Sequence, residues 1–343
     1  MKVLSLTANV PGFYRRETDA LAELGVERTT LEVPGDPEAG RSIRDYLRFV
    51  PEVLAESARD YDLVHANYGL TAPAALAQSR LPVVLSLWGS DLLGAFGWLS
   101  RTCARRADEV VVMSEEMAAE LDRETHIVAH GVSLDQFRPA PRTEARAAVG
   151  WSHDARHVLF PYAPDREVKD FPRAGRVVET ARERVDAPVE LHSLGDADHD
   201  QMPNYMNAAD ALLLTSRWEG LPNSVKEALC CNLPVVATDV GDVRERLRGV
   251  SPSFVGDSDA GLAAALAEIL ADPRRSNGRE SVADLRVERT AARLTAVYER
   301  ALGRDSASRR VPGTAAGRRT GETAPDAPMV RTVESPPYQK EES

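Results

Sequence analysis

Cysteine is scarce, with Cys103, Cys230 and Cys231 the three in 343 residues. Their number is odd, and an adjacent pair on an expected helix cannot easily bridge, so the chain reads as one for a reducing compartment. No apolar run approaches the ~20 residues of a membrane span. The run at residues 1–9 is too short for a signal peptide and reads as a first strand. A cytoplasmic location follows as the expectation, with peripheral membrane contact left open. Lysine is almost missing too: Lys2, Lys169, Lys226 and Lys340 are the four, and the other 38 of 42 basic residues are arginine. Codon bias and a salt-adapted, lysine-poor surface both fit, and neither bears on the fold. Positive charge is outweighed overall, and a formal net charge of −11 argues against a nucleic-acid partner, because phosphate backbones are bound through clustered Lys and Arg.

What the chain does have is length for two domains and 43% hydrophobic residues for their cores. Apolar strands alternate with amphipathic helices in the first part, at 3–7, 27–33, 62–66, 82–87, 109–113 and 126–129, with helices such as 42–57 and 95–107. Residues 139–155 are rich in Pro, Ala and charge and read as a linker with a short helix. A second alternating run starts at 157–160 and continues through 189–193, 211–215 and 234–237, with late helices at 260–271 and 287–302. From 303 to 343 scarcely a large apolar residue remains, so a disordered tail is expected. Ligands of such doubly wound sheets sit beyond the carboxyl ends of the strands.

The most informative stretch is 210–242. A short apolar strand ends at Ser216, Gly220 and Pro222 mark a loop, Asn223 or Ser224 can cap the next helix, and Val225, Ala228 and Leu229 give that helix an apolar face. Glu219 in the loop and Glu227 one turn inside the helix flank a crevice to which backbone N–H groups point. Two such carboxylates can each take a pair of hydroxyls, as sugars and riboses offer.

The pattern Ser-x-x-Glu-Gly-x-Pro-Asn-x-x-x-Glu-Ala, followed by Pro-Val-Val-Ala-Thr-Asp-Val-Gly-Asp, closely resembles the donor-sugar signature of family four (group 1) retaining glycosyltransferases of the GT-B fold. The fold this implies is two doubly wound parallel-sheet, Rossmann-like α/β domains facing each other across a cleft. They would be an acceptor-side domain at 1–138 and a donor domain with the final helices at 156–302, the last helix crossing back onto the first domain. The resemblance further implies transfer of a sugar from a nucleotide-diphosphate-sugar to a hydroxyl of a glycan or lipid-linked acceptor, with retention and with neither metal nor cofactor. Glu227 is then assigned to the nucleotide ribose and Glu219 to sugar hydroxyls. Lys169, with Arg166, is assigned to the diphosphate, and the segment Gly220, Leu221, Pro222, Asn223, Ser224 helps hold the donor.

On the acceptor side, the loop after the first strand, 10–17, reads as a mobile segment carrying Gly12 and Tyr14. Strand ends bring His65 and the Trp88-Gly89-Ser90-Asp91 turn. Trp88 and Asp91 resemble the family's acceptor-half loop, but many relatives have histidine where Trp88 stands, and an indole cannot accept a proton. His65 is one candidate to line the site instead. The run Asp196-Ala197-Asp198-His199-Asp200 superficially offers metal ligands, yet its acids sit in one polar loop without a second cluster, and no metal is assigned. Two rivals stay open: a nucleotide-sugar 2-epimerase, which shares the fold and needs no acceptor, and a non-catalytic nucleotide-sugar-binding subunit.

Overall fold

Eleven strands among the described residues divide into two parallel sheets. The computed structural model describes residues 1–35, 41–195, 197–220 and 222–303. In the first sheet β1 (Lys2–Thr7), β2 (Glu27–Glu32), β3 (Leu63–Asn67), β4 (Val83–Ser86), β5 (Glu109–Val112) and β6 (His126–Ile127) lie in the order β2-β1-β3-β4-β5-β6. In the second, β7 (Arg156–Phe160), β8 (Val189–Ser193), β9 (Ala211–Leu214), β10 (Val235–Ala237) and β11 (Phe254–Val255) lie in the order β11-β10-β9-β7-β8. Helices cover both faces of each sheet, which is why β9 is a continuous Ala-Leu-Leu-Leu run buried at every position. The strand order reverses between β1 and β3 and again between β7 and β9. At these two switch points the connecting loops leave opposite faces and open a crevice.

Each lobe has its own core. Leu4, Leu6, Phe49, Val64 and Leu85 fill the first, and Leu212, Leu214, Val225 and Leu229 are buried in the second. The last described helix, Val287–Ala301, returns to the first lobe, where Ala291, Leu294, Val297 and Tyr298 complete its core. The chain therefore crosses between lobes twice, and the two crossings touch. The Val132 N–H donates to the Leu285 carbonyl at 2.8 Å and the Val287 N–H to the Val132 carbonyl at 3.1 Å. A Cβ on Gly131 would lie 2.5 Å from the Val287 Cα, so this crossing needs glycine.

Two local expectations change. The segment 10–17 is the start of a helix, Gly12–Glu23, with Tyr14, Glu17, Ala20 and Leu21 on its buried face. A buried glutamate interrupts the apolar stripe, which hid the helical period. The expected caps Asn223 and Ser224 are inside the helix Asn223–Cys230; Pro222 holds the N-cap position without a side-chain bond. Within the linker, helix Arg142–Val149 is tied to the second lobe through Arg146 and Arg142, which pair with the buried Asp210 at 2.7 and 2.9 Å. The tail from residue 304 lies outside the described residues.

Candidate active site

A cavity of about 660 Å³ opens between the lobes at the carboxyl ends of the strands. Phe13, Tyr46, Tyr68 and Trp88 line it from the first lobe, and Tyr162, Arg166, Lys169, Glu219, Ser224 and Lys226 from the second. Gly220, Pro222 and Asn223 complete that side, so the amino end of helix Asn223–Cys230 opens on the cavity and favours an anion there. Leu221 lies outside the described residues.

Lys169 and Glu219 come from different loops and meet. The loop after β7 is clamped to the end of β9, because the Thr215 hydroxyl donates to the carbonyls of Lys169 and Asp170, both at 3.0 Å. The Arg217 N–H donates to the Val168 carbonyl at 2.9 Å. This clamp buries Lys169, whose ammonium donates to Glu219 Oε1 and stands 3.9 Å from the centre of the Tyr162 ring. Burial pulls the lysine pKa below its ordinary value, and Glu219 opposes that pull. Ser216 Oγ donates to the same glutamate oxygen at 2.7 Å. Arg166 is exposed, with its guanidinium 5.6 Å from the Tyr162 ring centre. Tyr162 in turn shares a 2.5 Å hydrogen bond with Ser224. The loop holding Glu219 is braced from behind by the Gly241 turn. There the Asp242 N–H donates to the Gly220 carbonyl at 3.1 Å, and a Cβ on Gly241, at φ +52°, would fall 1.9 Å from that oxygen.

Glu227 lies outside the cavity lining, in a buried position 3.3 Å from His199 Nε2. Burial pushes its carboxyl up to about 7, against the pull of Arg16 and Lys226. His199 is held down at about 4, by burial first and Arg16 next, so the imidazole is neutral near pH 7. Gly12, from the other lobe, packs on that ring: a Cβ there would lie 2.4 Å from His199 Cδ2. Lys226 is buried, with Nζ donating to the His130 carbonyl at 2.6 Å across the lobes, and burial lowers its pKa to about 8. Arg16 falls in the 10–17 segment and His199 in the run weighed for a metal, but the sequence reading placed neither beside Glu227, and it gave His130 and Lys226 no place at the site. For Lys226 a signal existed, since a cation beside Glu227 inside the motif is one of only four lysines.

The acceptor-side candidates part company. Trp88 lines the cavity in an aromatic group with Phe13 (centroids 5.3 Å apart), His130 (5.1 Å) and Tyr68 (6.1 Å). His65 is placed elsewhere: buried beneath the site, it bonds Tyr298 Oη at 2.8 Å and Ser86 Oγ at 2.7 Å, and burial drops its pKa to about 3. Tyr14 is likewise a core residue, its hydroxyl shared with Ser5 at 2.6 Å and Thr30 at 3.0 Å. Asp91 is buried and accepts N–H bonds from Gly69 (2.7 Å), Trp88 (2.9 Å) and Gly89 (2.9 Å), so it shapes the loop that presents Trp88.

In this arrangement acids and cations alternate around a space that suits an anionic, hydroxyl-rich ligand. Residues 3–132 match the family described as glycosyl transferase 4-like domain, and residues 170–272 the one described as glycosyl transferases group 1. The chain is 30% identical over 331 residues to the D-inositol 3-phosphate glycosyltransferase of Geodermatophilus obscurus, covering 78% of this chain and 74% of that one. It is 27% identical over 240 residues to the lipopolysaccharide core biosynthesis mannosyltransferase of Rhizobium meliloti, covering 59% and 68%. In fold it is similar to the sucrose-phosphate synthase of Thermosynechococcus elongatus, at a TM-score of 0.72 and 20% identity over 88% of this chain and 99% of that one. With two parallel-sheet lobes around a cleft and both halves of its sequence matched, the chain belongs to the group 1 glycosyltransferases and has the GT-B fold.

Proposed function

We propose that the protein moves a sugar from a nucleoside-diphosphate-sugar to a hydroxyl of a glycan or lipid-linked acceptor, with retention at the anomeric carbon. The observation that carries this reading is the buried Lys169–Glu219 pair facing the cavity. When a diphosphate enters, Lys169 turns from Glu219 to the phosphate oxygens, and the released carboxylate accepts from sugar hydroxyls. As the bond from the anomeric carbon to the diphosphate oxygen breaks and the acceptor oxygen takes its place, charge grows on the diphosphate, and the departing diphosphate oxygen accepts the proton that the acceptor hydroxyl loses. Lys169 and Arg166 are then worth more than in the ground state. Glu227 takes the ribose hydroxyls once His199 moves off it, and the amino end of helix Asn223–Cys230 adds to the anion's field.

Trp88, Phe13 and Tyr68 supply flat apolar faces on the acceptor side, so contact there is by stacking on a sugar ring. Ile43, Leu47 and Leu54 are exposed along helix Ile43–Ser57 beside Arg44 and Arg48, which supports an acceptor carrying lipid. Among the described residues no helix is long and apolar enough to cross a membrane.

Incubation with a panel of nucleotide-sugars, with and without lipid extract, tests the reading by nucleotide release. Acceptor-dependent release with a product of unchanged anomeric configuration is expected. Isomerised donor without any acceptor would make the protein an epimerase, and neither product would reduce it to a binding subunit.

A further inference from the structure

The outer edge of the second sheet holds a side-chain cluster that sugar transfer does not use. β8 is the edge strand, in register with β7 so that His157 stands opposite Glu190 and Leu159 opposite His192. Alternation along the strands puts Glu190 and His192 on one face of β8, and the parallel register puts His157 on that face of β7. Three ligand atoms converge there. His157 Nδ1 is 2.8 Å from His192 Nε2 and 3.6 Å from Glu190 Oε2, and His192 Nε2 is 3.5 Å from the same oxygen. A circle through points so separated has a radius of about 1.9 Å, so one ion slightly off their plane stands about 2.0–2.1 Å from all three, the ordinary distance of zinc to imidazole and carboxylate.

The neighbours fix those atoms in place. His157 is fully buried, and its Nε2 lies 2.7 Å from the Ser152 carbonyl oxygen. A carbonyl only accepts, so Nε2 carries the proton and Nδ1 turns its lone pair to the cluster, the arrangement by which an outer neighbour orients a metal-bound histidine. Trp151 stacks on His192 with centroids 3.7 Å apart and planes 16° from parallel, which holds the second ring. Glu190 is exposed, so water can reach a fourth position.

We propose that His157, Glu190 and His192 form a three-residue site for a divalent ion of the zinc class, completed by water, which clips the edge strand β8 to β7. Two imidazoles and one carboxylate are a donor set that suits Zn²⁺. β8 leads toward His199, which packs against Glu227, so the ion steadies the strand that runs into the donor side of the cleft.

Calorimetric titration of chelator-stripped full-length protein with Zn²⁺ tests this, with melting temperature as a second readout. The expected result is one ion per chain and a rise in melting temperature. His192→Ala and Glu190→Gln, both on the accessible side of the cluster, each weaken Zn²⁺ at least tenfold while circular dichroism stays native. His153→Ala, an exposed histidine nearby, leaves the titration unchanged. Absence of Zn²⁺ binding would leave only a hydrogen-bonded imidazole pair and overturn the proposal. So would binding that keeps its affinity in both His192→Ala and Glu190→Gln.

Discussion

Lys169 and Lys226 are the two lysines at the cleft, and both are buried in a chain that otherwise uses arginine almost everywhere. An ammonium is a compact point charge whose pKa yields to burial, whereas a guanidinium is a wide fork that stays charged. That difference predicts the outcome at Lys169. Lys169→Met keeps most of the apolar stem and removes the charge, so steady-state turnover should fall roughly ten- to a thousandfold while the protein stays folded. Turnover within about twofold of wild type would leave Lys169 no more than a buried partner of Glu219. Glu227 gives a pH signature. Its carboxyl is pushed up to about 7 in the free protein, and only the carboxylate form accepts from a pair of ribose hydroxyls through both oxygens in charge-assisted bonds. Nucleotide affinity should therefore rise about tenfold between roughly pH 6 and pH 8 and level off above, while His199, at about 4, stays neutral throughout. The stability sign is opposite: because folding raises this pKa, the stabilisation it brings in acid is lost as pH climbs through 7. Calorimetry across that range reads the first effect, and Glu227→Gln should make it flat.

The elements around the cleft differ in how openly the sequence declares them. The unit from β9 through helix Asn223–Cys230 to β10 was legible because period, Gly and Pro are local signals, and Glu219 with Glu227 came with it. His65 and Tyr14 were misplaced because their burial is decided from afar: Tyr298, 233 residues on, closes over His65. His130, His199 and Arg16 could not be placed beside Lys226 and Glu227 from sequence, because only the approach of the lobes brings them there. The helix Val287–Ala301 makes this testable. Leu294 is almost fully buried in the first lobe's core, and Leu294→Ala should cost about 2–5 kcal/mol. Urea unfolding should show that loss in the first lobe's transition, although the mutation lies at the far end of the chain. An unchanged midpoint would mean the helix contributes nothing to that core.

For the whole molecule, the two lobes divide the work. The second lines the cleft with cations and acids, the first with an aromatic wall, and the crossings at Val132 and Val287 join them. The family and fold could be read from residues 210–242, whereas the acceptor half, with Trp88 in place of a histidine, carried no signal for its ligand. The central claim is that one cleft holds a nucleoside diphosphate through Lys169 at the phosphates and Glu227 at the ribose. Calorimetric titration of UDP, GDP and ADP into wild type, Lys169→Met and Glu227→Ala tests it most directly. Saturable binding of at least one nucleotide, weakened roughly ten- to a hundredfold by each substitution in a folded protein, is the predicted result. Equal affinity in all three proteins would contradict the account.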